Sequence, residues 1–206
     1  MLPNFSFETK LWKEKIQFVA GVDEVGRGAL AGPIVAAAVI FKPFCKDIKK
    51  LKINDSKKLT PKIREELAQE IKNNCLFWAI GEVGVNYINK RGIGWANYLA
   101  MNKAIISVQR QMTNRPYLLI DGYPLKNSQG NMLRNQLPIV KGDQKVISIA
   151  AASIIAKVYR DNLMKNLAQQ YKEYGWEENK GYGTKRHWQT INQLGPSKMH
   201  RKDFID

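Results

Sequence analysis

The chain reads as an α/β fold, a mixed central sheet with helices packed on it. Two observations predict this. Apolar, strand-like runs come first, and short strands then alternate with helical segments, the order that lays helices onto a sheet. The size agrees: 206 residues, 44% hydrophobic and 25% charged, suit one domain that buries its own core, with room for a small appendage.

Each element has its own signal. Residues 16–22 are apolar enough for a strand, whose expected end is Asp23. Residues 33–41 are a continuous apolar run with β-branched side chains, as in a buried strand. Between them, Gly26, Gly28 and Gly32 mark a turn that needs unusual backbone or close approach. Thr60-Pro61 ahead of residues 62–73 is an N-cap followed by proline at the first helical position. Residues 76–83 read as a strand, and residues 86–111 as a helix broken near Gly92-Ile93-Gly94. Residues 116–120 form a short strand ending at Asp121-Gly122, and residues 137–140 another. Residues 148–171 are a long helix whose Ala-rich first turns would let it lie close to a sheet. Residues 184–194 make the last helix, and the stretch after about residue 171 would form a small helical part. There is no internal repeat and no low-complexity segment.

Charge narrows the function. The net charge is +15. Residues 42–64 contribute +7 and residues 180–202 contribute +6, so nearly all of it sits in two stretches. Clustered cations suit a polyanion, because each phosphate contact releases condensed counterions. A solvated basic face, an acidic partner or a membrane surface would also account for it. Cys45 and Cys75 are the only cysteines and read as free thiols of a reducing compartment. Residues 1–16 lack the apolar core of a secretory signal, and the longest apolar run, residues 29–41, is interrupted by Gly32-Pro33 and too short to span a bilayer. The expectation is a cytoplasmic protein without membrane attachment.

The acids carry the chemistry. Two strands are expected to end in carboxylates, one at Asp23 with Glu24 beside it and one at Asp121. Asp143, in Lys141-Gly142-Asp143, precedes the long helix. Strand ends are where sites form in such folds. Gathered carboxylates repel one another unless a cation sits among them, and an oxygen-only set selects Mg²⁺ or Mn²⁺. Such ions acidify a water and stabilise a leaving oxygen at a phosphodiester. An Asp-Glu pair by itself is usually a pair of surface acids, and Asp121-Gly122 alone could be a turn. Asp161, four residues from both Lys157 and Lys165, reads as a helix-surface ion-pair partner.

Other readings fit less well. Gly26-Arg27-Gly28-Ala29-Leu30-Ala31-Gly32 has the wrong spacing for a dinucleotide loop, and two acids precede it. His187 and His200 are the only histidines and read as backbone contacts or solvated residues, so zinc is not expected. Ser148 and Ser153 read as packing residues. A non-catalytic basic nucleic-acid binder and a nucleotide-binding enzyme stand as competing functions.

The motifs resemble bacterial ribonuclease HII. The resemblance runs through Gly21-Val22-Asp23-Glu24-Val25-Gly26-Arg27-Gly28-Ala29-Leu30-Ala31-Gly32-Pro33, then Asp55-Ser56-Lys57-Lys58-Leu59, Asp121-Gly122 and Lys141-Gly142-Asp143. It continues in Ser148-Ile149-Ala150-Ala151-Ala152-Ser153-Ile154-Ile155-Ala156-Lys157-Val158-Tyr159-Arg160-Asp161, Gly181-Tyr182-Gly183-Thr184, Gly195-Pro196 and His200-Arg201. It covers about residues 18–204. The longer relative ribonuclease HIII, with its added N-terminal domain and no Gly-Arg-Gly, fits neither the length nor the motif.

The resemblance implies a ribonuclease H-like fold: an N-terminal extension over 1–15, a catalytic domain over 16–172 and a helical substrate-binding part over 173–206. It implies an endoribonuclease that cuts the RNA strand of RNA–DNA hybrids and incises 5′ of ribonucleotides embedded in duplex DNA, leaving 3′-hydroxyl and 5′-phosphate ends. Asp23, Glu24, Asp121 and Asp143 would be the catalytic and metal-binding acids, with Mn²⁺ or Mg²⁺ as cofactor. Gly26, Arg27, Gly28 and Tyr182 would recognise the ribonucleotide, with Lys57, Lys58 and Lys185 as phosphate contacts, in a chain acting as a monomer. On its own residue pattern, Tyr182 could equally be a core aromatic anchoring a loop.

Overall fold

The computed structural model describes residues 2–45, 53, 59–126 and 132–205. Its centre is a five-stranded sheet: β1 (Val19–Val25), β2 (Ile34–Ile40), β3 (Phe77–Val83), β4 (Tyr117–Asp121) and β5 (Gln136–Ile139), in the order β3-β2-β1-β4-β5. The first three strands form an antiparallel meander, and β4 and β5 add in parallel beside β1. The mixed sheet expected from the element order is therefore present. One boundary differs: β1 runs through Asp23 to Val25, because residues 22–25 stay paired with β2.

β2 is buried at every position because both faces of the sheet are covered. Val35, Ala37 and Val39 join a core under α1 (Ser6–Lys13), α2 (Pro61–Asn74) and α4 (Ile147–Gln170). Ile34, Ala36, Ala38 and Ile40 join a second core under α3 (Val85–Gln109). The side-chain alternation of a strand thus sorts the apolar residues into two cores.

Sequence signals set the helix ends. Thr60 accepts a hydrogen bond from Ile63 N ahead of Pro61, which opens α2. Thr184 accepts one from His187 N to open α6 (Lys185–Leu194). α3 breaks at Gly92, whose φ of 80° lies outside the helical region. α4 lies as close to the sheet as its alanines allow. Gly21 of β1 faces its first turn, and a Cβ there would sit 2.1 Å from the Ser148 carbonyl carbon.

The N-cap of α4 is Val146, which has no capping side chain. Glu8 of α1 takes that role from far away in sequence: its buried carboxylate accepts from Ser148 N at 3.0 Å, at the positive end of the helix. Residues 1–15 were set apart in the sequence, yet Phe5, Leu11 and Trp12 pack into the same core as α2 and α4. After α4, residues 171–205 build a smaller core from Tyr174, Trp176 and Ile191. Leu30, Ala31 and Met164 complete it. Among the described residues no helix is long and apolar enough to cross a membrane.

Candidate active site

Parallel pairing brings the acids together. Val22 of β1 lies opposite Ile120 of β4, so Asp23 and Asp121 are the next residues on adjacent strands. Asp121 in turn pairs with Ile139, at the end of β5. Two residues later Lys141 adopts a left-handed conformation (φ 55°) and starts the short turn Gly142–Gln144 that carries Asp143. Asp23 and Asp121 share the sheet face of Val19 and Leu119, toward α4; alternation sends Glu24 toward the α3 side.

All four acids line one cavity of about 630 Å³, together with Gly26, Arg27, Gly28 and Tyr182. Asp23 and Asp143 are buried, Glu24 and Asp121 half-buried. Asp23 accepts from Glu24 N at 2.7 Å and Asp121 from Gly142 N at 2.6 Å, which fixes each carboxyl on its strand end. Burial pushes the Asp23 pKa well above its ordinary value, and the charges of Glu24 and Asp121 push it further; the Ser153 hydroxyl counters them in part by hydrogen bonding.

An all-oxygen donor set whose members resist carrying charge together is one that a hard divalent cation relieves. The chemistry of the four residues fits such an ion. As placed, the side chains line the wall without closing: no three acidic, histidine or cysteine side chains among the described residues form a group that could hold a metal ion.

Comparison with known proteins shows the family. The family model described as Ribonuclease HII matches residues 20–206. The chain belongs to the ribonuclease HII family. A Ribonuclease HII of Chloroherpeton thalassium is 48% identical over 206 residues, covering 97% of this chain and 95% of the relative. The ribonuclease HII in a PCNA complex from Archaeoglobus fulgidus is 26% identical with a TM-score of 0.72, covering 90% of this chain and 94% of that one. The ribonuclease H2 of Pyrococcus horikoshii OT3 is 25% identical with a TM-score of 0.71, covering 90% and 93%. The fold is that of ribonuclease H, and the chain is an endoribonuclease of that class.

In this chain the wall facing away from the strand ends is assembled from distant segments, and here the sequence was least informative. Two buried arginines hold the loop over residues 26–33. Arg201 donates to the carbonyls of Arg27 (2.9 Å), Gly32 (2.9 and 3.1 Å) and Pro33 (3.2 Å). Arg160 donates to those of Ala31 (3.0 Å), Pro33 (2.9 Å) and Lys180 (2.9 Å). Gly26, at φ 91°, packs against Arg160, and a Cβ there would lie 2.1 Å from its Nε. Its lack of a side chain thus serves a buried arginine, whereas Gly28 faces open space.

His187 and His200 are buried, not solvated or at the surface as the sequence suggested. His187 Nδ1 lies 2.9 Å from the Tyr182 carbonyl and so donates to it, which leaves Nε2 as acceptor. That acceptor takes the Trp176 indole N–H at 3.0 Å and faces His200 Nε2 at 3.1 Å. His200 Nδ1 accepts from Ser197 N at 2.9 Å. The partners fix both rings as neutral tautomers. Burial holds both pKa values down, that of His200 to about 4 with help from His187.

Tyr182 is half-buried, between the two readings its sequence allowed. Its ring lies beneath Lys157 Nζ (5.6 Å) and Arg160 Cζ (5.3 Å). Arg27 is half-exposed, 3.9 Å from Glu24. Lys185 is exposed at the start of α6 and does not line the cavity; Lys57 and Lys58 lie outside the described residues.

Asp161 pairs with Lys157 at 2.7 Å as expected, but its second partner is Arg64 at 3.4 Å, while Lys165 turns to Glu65. Ser153, read as a packing residue, and Lys157 both line the cavity. Their spacing of four along one helix, with Arg160 and Asp161 just beyond, was the signal available for them. Not every cation of the two basic segments faces outward. Arg64 and Arg201, one from each, are buried and engaged inside the protein.

Proposed function

We propose that the chain hydrolyses the RNA strand of RNA–DNA hybrids and incises 5′ of ribonucleotides embedded in duplex DNA, leaving 3′-hydroxyl and 5′-phosphate ends. One observation carries this reading: the four carboxylates share a single cavity with the Gly26-Arg27-Gly28 backbone and Tyr182. Acids that would only repel a phosphate are thereby set beside groups suited to a sugar.

Asp23, Glu24, Asp121 and Asp143 would hold divalent metal, Mg²⁺ or Mn²⁺. When bound, two such ions supply the positive charge and water acidity that phosphodiester hydrolysis needs. The protein's own residues position the substrate. Ser153 orients Asp23 through a hydrogen bond, and Gly142 N orients Asp121. Arg27 and Lys157 place cations for the flanking phosphates. Gly28, where the place of a Cβ is open space, lets the backbone approach a sugar edge.

The Tyr182 phenol can donate to and accept from a 2′-hydroxyl, the group by which RNA differs locally from DNA. The loop that aligns these parts is held by Arg160 and Arg201, so ribose recognition depends on residues that never touch the sugar. Duplex DNA carrying one ribonucleotide, incubated with Mg²⁺ or Mn²⁺ and then with chelator, tests the reading. The expected result is a single metal-dependent cut on the 5′ side of the ribonucleotide. Cleavage that ignores the ribonucleotide or survives chelation would overturn it.

A further inference from the structure

A second cavity, of about 490 Å³, adjoins the carboxylates, and its aromatic wall has no part in the chemistry above. Glu24, Arg27 and Asp121 line both cavities, so the two are continuous across the acids, while Tyr182 lines only the first. α3 builds one side: restarting after Gly92, it presents Gly94, Asn97, Tyr98 and Met101 at i, i+3, i+4 and i+7, a single helix face. The segment after β4 builds the other with Tyr123.

Three features of this cavity point to a ligand. Trp95 and Tyr123 are 51% and 76% exposed, and Trp95 meets Tyr98 edge-on at 5.7 Å. One exposed ring is unremarkable, but three aromatic side chains on a concave wall form an apolar patch beside a polyanion site. Next, Asn97 lines the cavity, and its buried Oδ1 finds no hydrogen-bonding partner among the described residues. Finally, Arg27 and Lys126 supply cations on a wall that also carries Glu24 and Asp121.

We infer that this cavity is a nucleoside subsite. It takes the sugar and base of the cleaved strand next to the scissile linkage, on the side of the carboxylates away from Tyr182. Aromatic faces accept any sugar or base ring, Asn97 meets one hydrogen-bonding group of that nucleoside, and Arg27 and Lys126 meet the phosphates around it. A strand whose scissile phosphate lies at the acids must leave the site in both directions. The inference rests on the nuclease reading and assigns the exit that reading leaves unoccupied.

The test is a cycle between protein and substrate. KM and kcat are measured for the wild type, Trp95→Ala, Tyr123→Ala and Asn97→Leu, on hybrid duplexes in which one nucleoside flanking the cut is replaced by a propanediol spacer that keeps its phosphates. On intact duplex, Trp95→Ala is expected to raise KM about tenfold, within the range of aromatic contacts to nucleotides, with kcat changing much less. At one spacer position, on one side of the cut, the wild type should lose the same factor, and there the substitutions should cost nothing further. Tyr123 is exposed enough that its truncation does not threaten the fold. Losses that multiply at every spacer position, or variants with wild-type KM, would overturn the subsite. The nuclease reading fails separately, if the wild type leaves the intact duplex uncut.

Discussion

The two sides of the carboxylate-lined cavity are built on different principles. On one side, neighbouring strands carry carboxylates at or near their ends, and Asp23 and Asp121 are held by hydrogen bonds from Glu24 N and Gly142 N. On the other, two buried guanidiniums hold the loop over residues 26–33, and one of them, Arg160, also ties it to the turn over residues 180–183, with a pair of neutral histidines beneath Tyr182. The first side is electrostatically strained and geometrically simple. The second is satisfied in its hydrogen bonds but depends on residues far apart in the chain. Substitutions on the acid side should therefore remove chemistry and spare the fold, whereas those on the loop side should damage fold and recognition together.

The largest effect is expected at the most strained acid. Asp23→Asn should lower kcat at least about a thousandfold, on the order of 4 kcal/mol in barrier, while duplex affinity stays near wild type. The same substitution removes a buried charge that Glu24 and Asp121 oppose, so the melting temperature should rise. Cleavage assays and thermal melts of one preparation check both signs. A variant that is inactive and also less stable would show that Asp23 serves the fold.

Arg201→Met makes the opposite case. It keeps the buried bulk but leaves the carbonyls of Arg27 and Gly32 without this donor and that of Pro33 with Arg160 alone. The expected loss is about 3–5 kcal/mol in urea denaturation, together with a fall in cleavage, although Arg201 reaches neither metal nor sugar. Arg201→Lys should not rescue it, because an ammonium cannot span the same carbonyls as a planar fork. Wild-type stability in either variant would break the contrast between the two sides.

The contrast also explains what the sequence disclosed. Asp23, Glu24, Asp121 and Asp143 were legible because they are scarce acids in a basic chain and sit at or beside strand ends, which periodicity locates. The sheet was legible for the same reason, as was the Ala-rich face of α4. Arg160, Arg201, His187 and His200 were not, because nothing local distinguishes a buried cation or imidazole from a surface one. Their partners are main-chain carbonyls or residues brought close only by the fold. α1 escaped notice because its contribution, Glu8 at the start of α4, is a contact across most of the chain.

The histidine pair gives the loop side a pH signature. Above 6.5 His200 is neutral whether folded or unfolded and adds no pH dependence. Between 6.5 and about 4 the unfolded chain binds a proton that the folded protein refuses, so stability falls as pH falls and levels off below about 4. The drop from 6.5 to about 4 amounts to on the order of 3 kcal/mol, and His187 adds in the same direction. Urea denaturation at pH 7.5 and pH 4.5 should show a steeper loss for the wild type than for His200→Gln, since the carboxylates titrate in both. Parallel losses would mean that the pair accepts a proton in the folded state.

The smallest and most specific effect should come from one oxygen atom. Tyr182→Phe keeps the ring under Lys157 and Arg160, and its carbonyl still accepts from His187, so the loop should hold its shape. Only the phenol is lost. If that phenol meets the 2′-hydroxyl as cleavage proceeds, kcat/KM at a single embedded ribonucleotide should fall about tenfold, roughly one hydrogen bond, while affinity for all-DNA duplex stays constant. An equal loss in cleavage and duplex binding would make Tyr182 a general contact. No loss in either would leave ribose recognition to Arg27 and the loop backbone, and Arg201→Met would then be the more direct probe of how that backbone is held.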